Sequence, residues 1–416
     1  MAPSFSGSDT STVPSTLWPL DPSVVFLNHG SFGSCPRKVL EFQRGIRDRF
    51  ERDPIQFLAR DLESLLDEAR GDLARFVGAL PRNLVLVQNA TAGVNTVLRS
   101  LQFESGDELL VTDQEYNACR NALEFVAARW RARVVVCPIP FPLRSPDEVL
   151  EAVLGRVTPR TRLALIDHVT SQTGMVLPIA ALAKALRERG VETLVDGAHA
   201  PGMVPLNLES LGASYYTGNC HKWVCAPKTT AFLWVREDLQ HAIRPLVISH
   251  GANSPRRDRS QFLIEFAWTG TADPSAALSV PEALRFMGSL LPGGWPEVMS
   301  RNRELALAAR RLLCAALNIG LPCPDAMIGS MASIPLPDGD ATQHPSGPLY
   351  LDPLQLRMRA EHHIEAPVVP WPSPPRRLLR ISAQLYNSLP QYQLLASLLP
   401  RLLESGPNVG ALDAGF

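Results

Sequence analysis

Between residues 84 and 235 the chain alternates short apolar runs with amphipathic stretches of about a dozen residues, and this rhythm restricts the fold more than any other feature. The runs cover 84–88, 108–112, 133–137, 162–168, 192–196 and 230–235; the stretches at 119–131, 146–156 and 179–190 carry apolar residues at helical spacing. Strands that are apolar on both faces and linked by helices predict an α/β fold, with a mainly parallel sheet covered on both sides. In such sheets ligands lie beyond the carboxyl ends of the strands. The chemically distinctive residues from Asn89 to Lys222 all fall at such ends.

Outside this region the pattern changes. Apolar positions at spacings of three and four across 41–76 predict two helices broken at Pro54. After Gly270 come helical stretches at 276–290 and 295–317, a Pro/Gly-rich stretch at 321–348, an apolar strand at 378–382 and a closing helix at 391–403. The expected organisation is a tail over 1–20, a large domain over 21–275 and a smaller α+β domain over 276–416, joined by the N-terminal segment. A chain of 416 residues exceeds one comfortable hydrophobic core, which favours such a division.

Forty basic against 41 acidic side chains, without a basic run, argue against nucleic-acid binding. Seven cysteines without a Cys-x-x-Cys signal neither a disulfide framework nor a zinc site. With no secretory or membrane-spanning pattern at the sequence level, a cytoplasmic protein is expected.

Lys222 stands between His221 and Trp223, 26 residues after Asp196 closes an apolar run. An amine able to form a Schiff base and a carboxylate able to hold a pyridinium nitrogen are the minimum equipment for pyridoxal phosphate chemistry. Partial burial beside another cation would lower the amine's pKa, as that chemistry requires. His199, three residues after Asp196, and Ser171, at the end of another strand, are placed to reach a phenolate oxygen. Asn89-Ala-Thr91-Ala92-Gly93 sets N–H groups and a hydroxyl at a helix start, where a phosphate could dock or Thr91 could serve as an N-cap. Tyr116 could stack on a flat ring, and Arg380, inside the apolar run 378–382, could grip a substrate carboxylate.

Taken in order, Phe26-Leu-Asn28-His29-Gly-Ser-Phe-Gly33, Asn89–Gly93, Tyr116-Asn-Ala118, Asp196-Gly-Ala-His199, His221-Lys-Trp223, Trp268-Thr-Gly-Thr271-Ala-Asp273 and Arg380–Asn387 resemble the class V aminotransferase family of fold-type-I pyridoxal phosphate enzymes, and its isopenicillin N epimerase-like members most closely. The resemblance spans about residues 20–403. It implies a seven-stranded sheet and pyridoxal 5'-phosphate bound as an aldimine of Lys222, with Asp196 on the ring nitrogen and Tyr116 over one ring face. Ser171 and His199 would take the phenolate oxygen; Thr91, Ala92, Asn219 and His221 the phosphate; Arg380, Asn28 and His29 the substrate. Thr271 would reach the phosphate of a neighbouring subunit, so a homodimer with shared sites is implied. The activity implied is loss of an amino acid's alpha proton through a quinonoid, ending in epimerisation or carbon–sulfur cleavage, with transamination as the alternative and a silent cofactor-binding protein as a further one. A desulfurase thiol loop is not expected, because 336–349 lacks cysteine and Cys323 lies 57 residues before Arg380.

Overall fold

The computed structural model describes residues 13–340 and 351–404. Its centre is a seven-stranded sheet with the order β2-β8-β7-β6-β5-β3-β4. The strands are β2 (Leu84–Val87), β3 (Glu108–Thr112), β4 (Arg133–Cys137), β5 (Thr161–Asp167), β6 (Glu192–Asp196), β7 (Tyr215–Asn219) and β8 (Ala231–Val235); the two-residue β1 (Val25–Phe26) lies outside this sheet. All neighbours pair in parallel except β8, which runs antiparallel to both β2 and β7. The mainly parallel sheet expected from the alternating pattern is therefore present.

Side-chain alternation divides the strands between two cores. Leu110, Ala164, Ile166, Val195, Tyr216 and Phe232 pack on one face, and Leu109, Val111, Leu163, Leu165, Leu194, Tyr215 and Leu233 on the other. With both faces covered, polar residues are tolerated only at strand ends or where they find partners. Each fully buried Leu or Ile contributes about 1.5–3 kcal/mol relative to exposure.

β7 is a strand that apolar patterning does not reveal. Its sequence, Tyr-Tyr-Thr-Gly-Asn, is wholly buried because distant groups satisfy its polar atoms: Tyr216 Oη meets His168 Nδ1 at 2.9 Å and Thr217 Oγ1 donates to the Phe232 carbonyl at 2.8 Å. The helix Ala90–Ser100 starts directly against this strand. Gly93 makes that approach possible, since a Cβ there would lie 2.2 Å from Thr217 Oγ1.

Beyond the large sheet, β9 (Met331–Leu336), β11 (Val368–Pro370) and β12 (Arg377–Ser382) form an antiparallel sheet in the order β11-β12-β9. β10 (Ile364–Glu365) pairs in parallel with β1, tying the N-terminal segment to this part of the molecule. The helices Gly294–Ala316 and Leu389–Glu404 pack on one another over the same core. Within residues 13–20, assigned to the tail on composition, Val13 and Trp18 are packed: they are 2% and 1% exposed, and Trp18 lies edge-on to Tyr386 with centroids 5.1 Å apart. Residues 1–12 of that tail and 341–349 of the cysteine-free stretch lie outside the described residues.

Candidate active site

The ends of β5, β6 and β7 converge with the loop that follows β7. Asp196 closes β6 and is 2% exposed; its carboxylate accepts the Ala198 N–H at 2.9 Å and the Cys119 thiol at 3.1 Å. Burial raises its pKa, while those two donors and Lys222 oppose the rise.

Lys222 lies in the loop after β7, partly buried, with Nζ 2.9 Å from His199 Nε2. The Trp223 indole N–H is directed at His199 Nδ1, at 3.4 Å. A neutral imidazole that accepts at Nδ1 carries its hydrogen on Nε2, so Nε2–H points at the amine and needs a lone pair there. The hydrogen-bond pattern thus assigns a neutral Lys222. The electrostatics agree: burial first, and the Arg380 cation second, push the Lys222 pKa down to about 7, and burial holds His199 well below its ordinary range.

Two features hold the Lys222 loop in place. His29 is fully buried; it accepts the Tyr386 hydroxyl at Nδ1 (2.8 Å) and donates from Nε2 to the Lys222 carbonyl (3.0 Å). Gly33, at φ +70°, lets the chain pass the same loop, because a Cβ there would lie 2.2 Å from the His221 carbonyl oxygen. His29 was expected to bind substrate, but with both ring nitrogens engaged and no exposed surface it is a strut.

Arg380 is 5% exposed on β12. It donates to the Ser171 carbonyl at 2.7 Å, to Ser171 Oγ at 3.3 Å and to Ser31 Oγ at 2.7 Å, and among the described residues its Nε has no acceptor. Among the described residues no carboxylate forms an ion pair with it, and burial lowers its pKa to about 10. A buried guanidinium held only by neutral oxygens has the chemistry to receive an anion. Asn28 belongs to its support: Asn28 Oδ1 accepts the Ser31 hydroxyl at 2.6 Å, and Nδ2 donates to Glu365 at 3.3 Å. Tyr116 stands 47% exposed beside this group and interacts electrostatically with Arg380.

At the start of the 90–100 helix Asn89, not Thr91, is the N-cap, and its side chain takes the Ala92 N–H at 2.8 Å. Ala92 therefore has no spare donor for a phosphate. Asn219 Oδ1 accepts the Ala90 N–H at 2.8 Å, and His221 donates from Nδ1 to the Thr230 carbonyl at 3.2 Å. The Thr91 hydroxyl, the Asn219 amide nitrogen and His221 Nε2 remain available at a positive helix end. Thr271 is exposed in the bend before the helix Ser275–Leu278.

These groups fit pyridoxal phosphate: a neutral amine for its aldehyde, a buried carboxylate for its ring nitrogen, and open donors at a helix N-terminus for its phosphate. The comparisons decide the family. Residues 52–395 match the model of the class V aminotransferases. The chain belongs to this family, and pyridoxal phosphate is its cofactor. It is 37% identical over 396 residues to isopenicillin N epimerase of Streptomyces clavuligerus, covering 92% of this chain and 96% of that protein. It is 32% identical over 416 residues to a probable chloroplastic L-cysteine desulfhydrase of Arabidopsis thaliana, covering 93% and 84%. Among solved structures, a complex of the cystine C-S lyase C-DES with cysteine persulfide superposes with a TM-score of 0.74 at 23% identity, covering 92% of this chain and 98% of that one, a likeness of fold.

Three further residues at the site, Glu115, Cys119 and Asp167, were not singled out from the sequence. The signals available were that Asp167 ends an apolar strand much as Asp196 does, and that Cys119 lies within the first turn of the helix Asn117–Trp130.

Proposed function

We propose that this enzyme removes the alpha proton of an amino acid with Lys222 and ends its reaction in epimerisation or carbon–sulfur cleavage. The observation that carries the proposal is the neutral Lys222 amine set between Asp196 and an Arg380 that lacks an anionic partner. When bound, pyridoxal phosphate supplies the electron sink for the charge left at the alpha carbon. Lys222 carries the cofactor and takes the alpha proton at its Nζ, and Asp196 holds the ring nitrogen. Thr91, Asn219 and His221 hold the phosphate. His199 and Ser171 face the phenolate oxygen, and Tyr116 covers one ring face. Arg380, positioned by Ser171, Ser31 and Asn28, takes the substrate carboxylate.

A homodimer with shared sites belongs to the same reading, with Thr271 reaching the partner's phosphate. Its support is the exposure of Thr271 and of Leu246, Val247 and Ile248, which are 47%, 56% and 57% exposed. The division into a large domain over 21–275 and a small one over 276–416 is supported by the separate β11-β12-β9 sheet. A cytoplasmic location is supported by seven free, buried cysteines. No helix among the described residues is long and apolar enough to cross a membrane.

The test is a panel of amino acids in deuterated water, with alpha-proton exchange, chirality, keto acid, ammonia and sulfide followed together. Exchange that disappears in Lys222→Ala is expected, with inverted product or sulfide marking the branch. Absence of exchange across the panel, or exchange that survives Lys222→Ala, overturns the proposal.

A further inference from the structure

Behind Asp196 lie two buried carboxylates that the proposed chemistry does not use. Asp167 and Asp196 are cross-strand partners at the ends of β5 and β6, so their side chains leave the same face of the sheet. Glu115 follows β3, the other neighbour of β5. A carboxylate oxygen of Glu115, the Cys119 sulfur and a carboxylate oxygen of Asp196 all lie within 4.8 Å of one another. Glu115, Asp167 and Asp196 are 5%, 3% and 2% exposed.

The three carboxylates are unequally provided with donors. Asp196 accepts a thiol and a backbone N–H. Neither oxygen of Glu115, nor Oδ2 of Asp167, has a well-aligned hydrogen bond among the described residues. The other titratable groups facing them are the Cys119 thiol, which already serves Asp196, the Tyr116 and Tyr216 phenols, and Lys222, a cation that acts on both Asp167 and Asp196. Three anions packed out of water against one amine, itself only about half protonated at pH 7, cannot all keep their charge, and a proton placed between two of them fills both orphaned lone pairs.

We infer that Glu115 holds a proton at neutral pH and donates it to Asp167, making a proton-sharing pair that keeps one negative charge standing behind Asp196. The choice of Glu115 follows from its surroundings, since it lacks both an aligned donor and a nearby cation. Burial and the two neighbouring carboxylates drive its pKa well above the usual carboxylate range. Glu115 and Asp167 are positioning residues: they touch neither substrate nor cofactor in the proposed arrangement, and act through Asp196 on the proton of the ring nitrogen. This effect rests on the role proposed for Asp196, whereas the shared proton does not.

Infrared spectroscopy of the cofactor-free protein at pH 7 tests the proton directly. The expected result is the carbonyl stretch of a protonated, solvent-shielded carboxylic acid, shifted by deuterium and lost in Glu115→Gln. Absence of that band in the wild type overturns the inference without any variant, and is also the outcome if Glu115, Cys119 and Asp196 instead hold a divalent cation. Persistence of the band in Glu115→Gln overturns it as well. In the loaded enzyme, Asp167→Asn should lower the pH midpoint of the visible absorbance by about one unit, by removing a nearby anion, and Glu115→Gln should leave it in place. A purely structural pair would lower thermal stability in both variants and move neither midpoint. A shift in Glu115→Gln equal to that in Asp167→Asn would mean that Glu115 is ionised. Should the protein form no visible absorbance with the cofactor, the role of Lys222 fails, while the infrared result on the proton stands.

Discussion

The neutral Lys222 can be tested through the rate at which the cofactor-free protein captures pyridoxal phosphate. Only the unprotonated amine attacks the aldehyde. With its pKa pushed down to about 7, about half of the Lys222 amines are free at pH 7, against about one in three thousand for an unperturbed lysine. Capture followed by stopped-flow absorbance should therefore rise with pH up to about 7 and level off above about 8. Arg380 is the second cause of the depression, after burial. Arg380→Met removes that cation but leaves the burial, so the midpoint should move up by about one pH unit and the rate at pH 7 should fall several-fold. Comparing the two proteins cancels the titration of the cofactor's own phosphate. The reasoning is refuted if the wild-type rate keeps climbing tenfold per unit beyond pH 9, or if the two midpoints coincide.

Two further outcomes follow from packing. Gly93→Ala should lower the thermal midpoint by about 1–3 °C, the equivalent of about 1–3 kcal/mol of overpacking in a chain of this size, and loosen cofactor retention; because its Cβ would press on the Thr217 side chain, the same change in a Thr217→Gly background should cost much less, and an equal cost there would place the strain elsewhere. His29→Leu, which removes two buried hydrogen bonds, should cost about 2–3 kcal/mol in denaturant unfolding while leaving KM for the amino acid unchanged, and a raised KM with normal stability would return His29 to the substrate site.

The sheet and the central chemistry were legible because each has a local signature. Apolar runs bounded by turns mark strands that are buried on both faces, and a lysine or an arginine in apolar surroundings calls for an explanation wherever it occurs. β7 escaped because its burial depends on His168, Phe232 and Ala90, none of which is near it in sequence. β9 escaped for another reason. It lies in a Pro/Gly-rich stretch, and Pro335 is tolerated there because β9 is an edge strand, where a missing N–H need not break the ladder. The supporting roles of Asn89 and His29 were hidden by competition between neighbours, since Asn89 outcompetes Thr91 for the cap and His29 is turned toward Tyr386 and Lys222 by the fold. Glu115 and Asp167 meet only through the register of β3, β5 and β6, which no local pattern encodes.

The charges around Lys222 also account for how one amine can serve in two protonation states. Arg380 lowers its pKa; Asp196, the Cys119 thiol and Asp167 raise it. In the proposed arrangement no anion among the described residues pairs with the guanidinium before substrate binds, and about half of the amines are neutral at pH 7, the form needed to bind the aldehyde. A substrate carboxylate seated on Arg380, as proposed, would cancel that cation's field while leaving the carboxylates on the other side untouched. The Lys222 amine would then face a more negative surrounding than before, so its basicity would rise where the proposed reaction needs it to take the alpha proton. The same arrangement disfavours amines that lack a carboxylate, because they leave Arg380 uncompensated and Lys222 a weak base. Selectivity for amino acids is then expressed in the proton-transfer step as well as in binding, and the loss in Arg380→Met should appear in kcat as well as in KM.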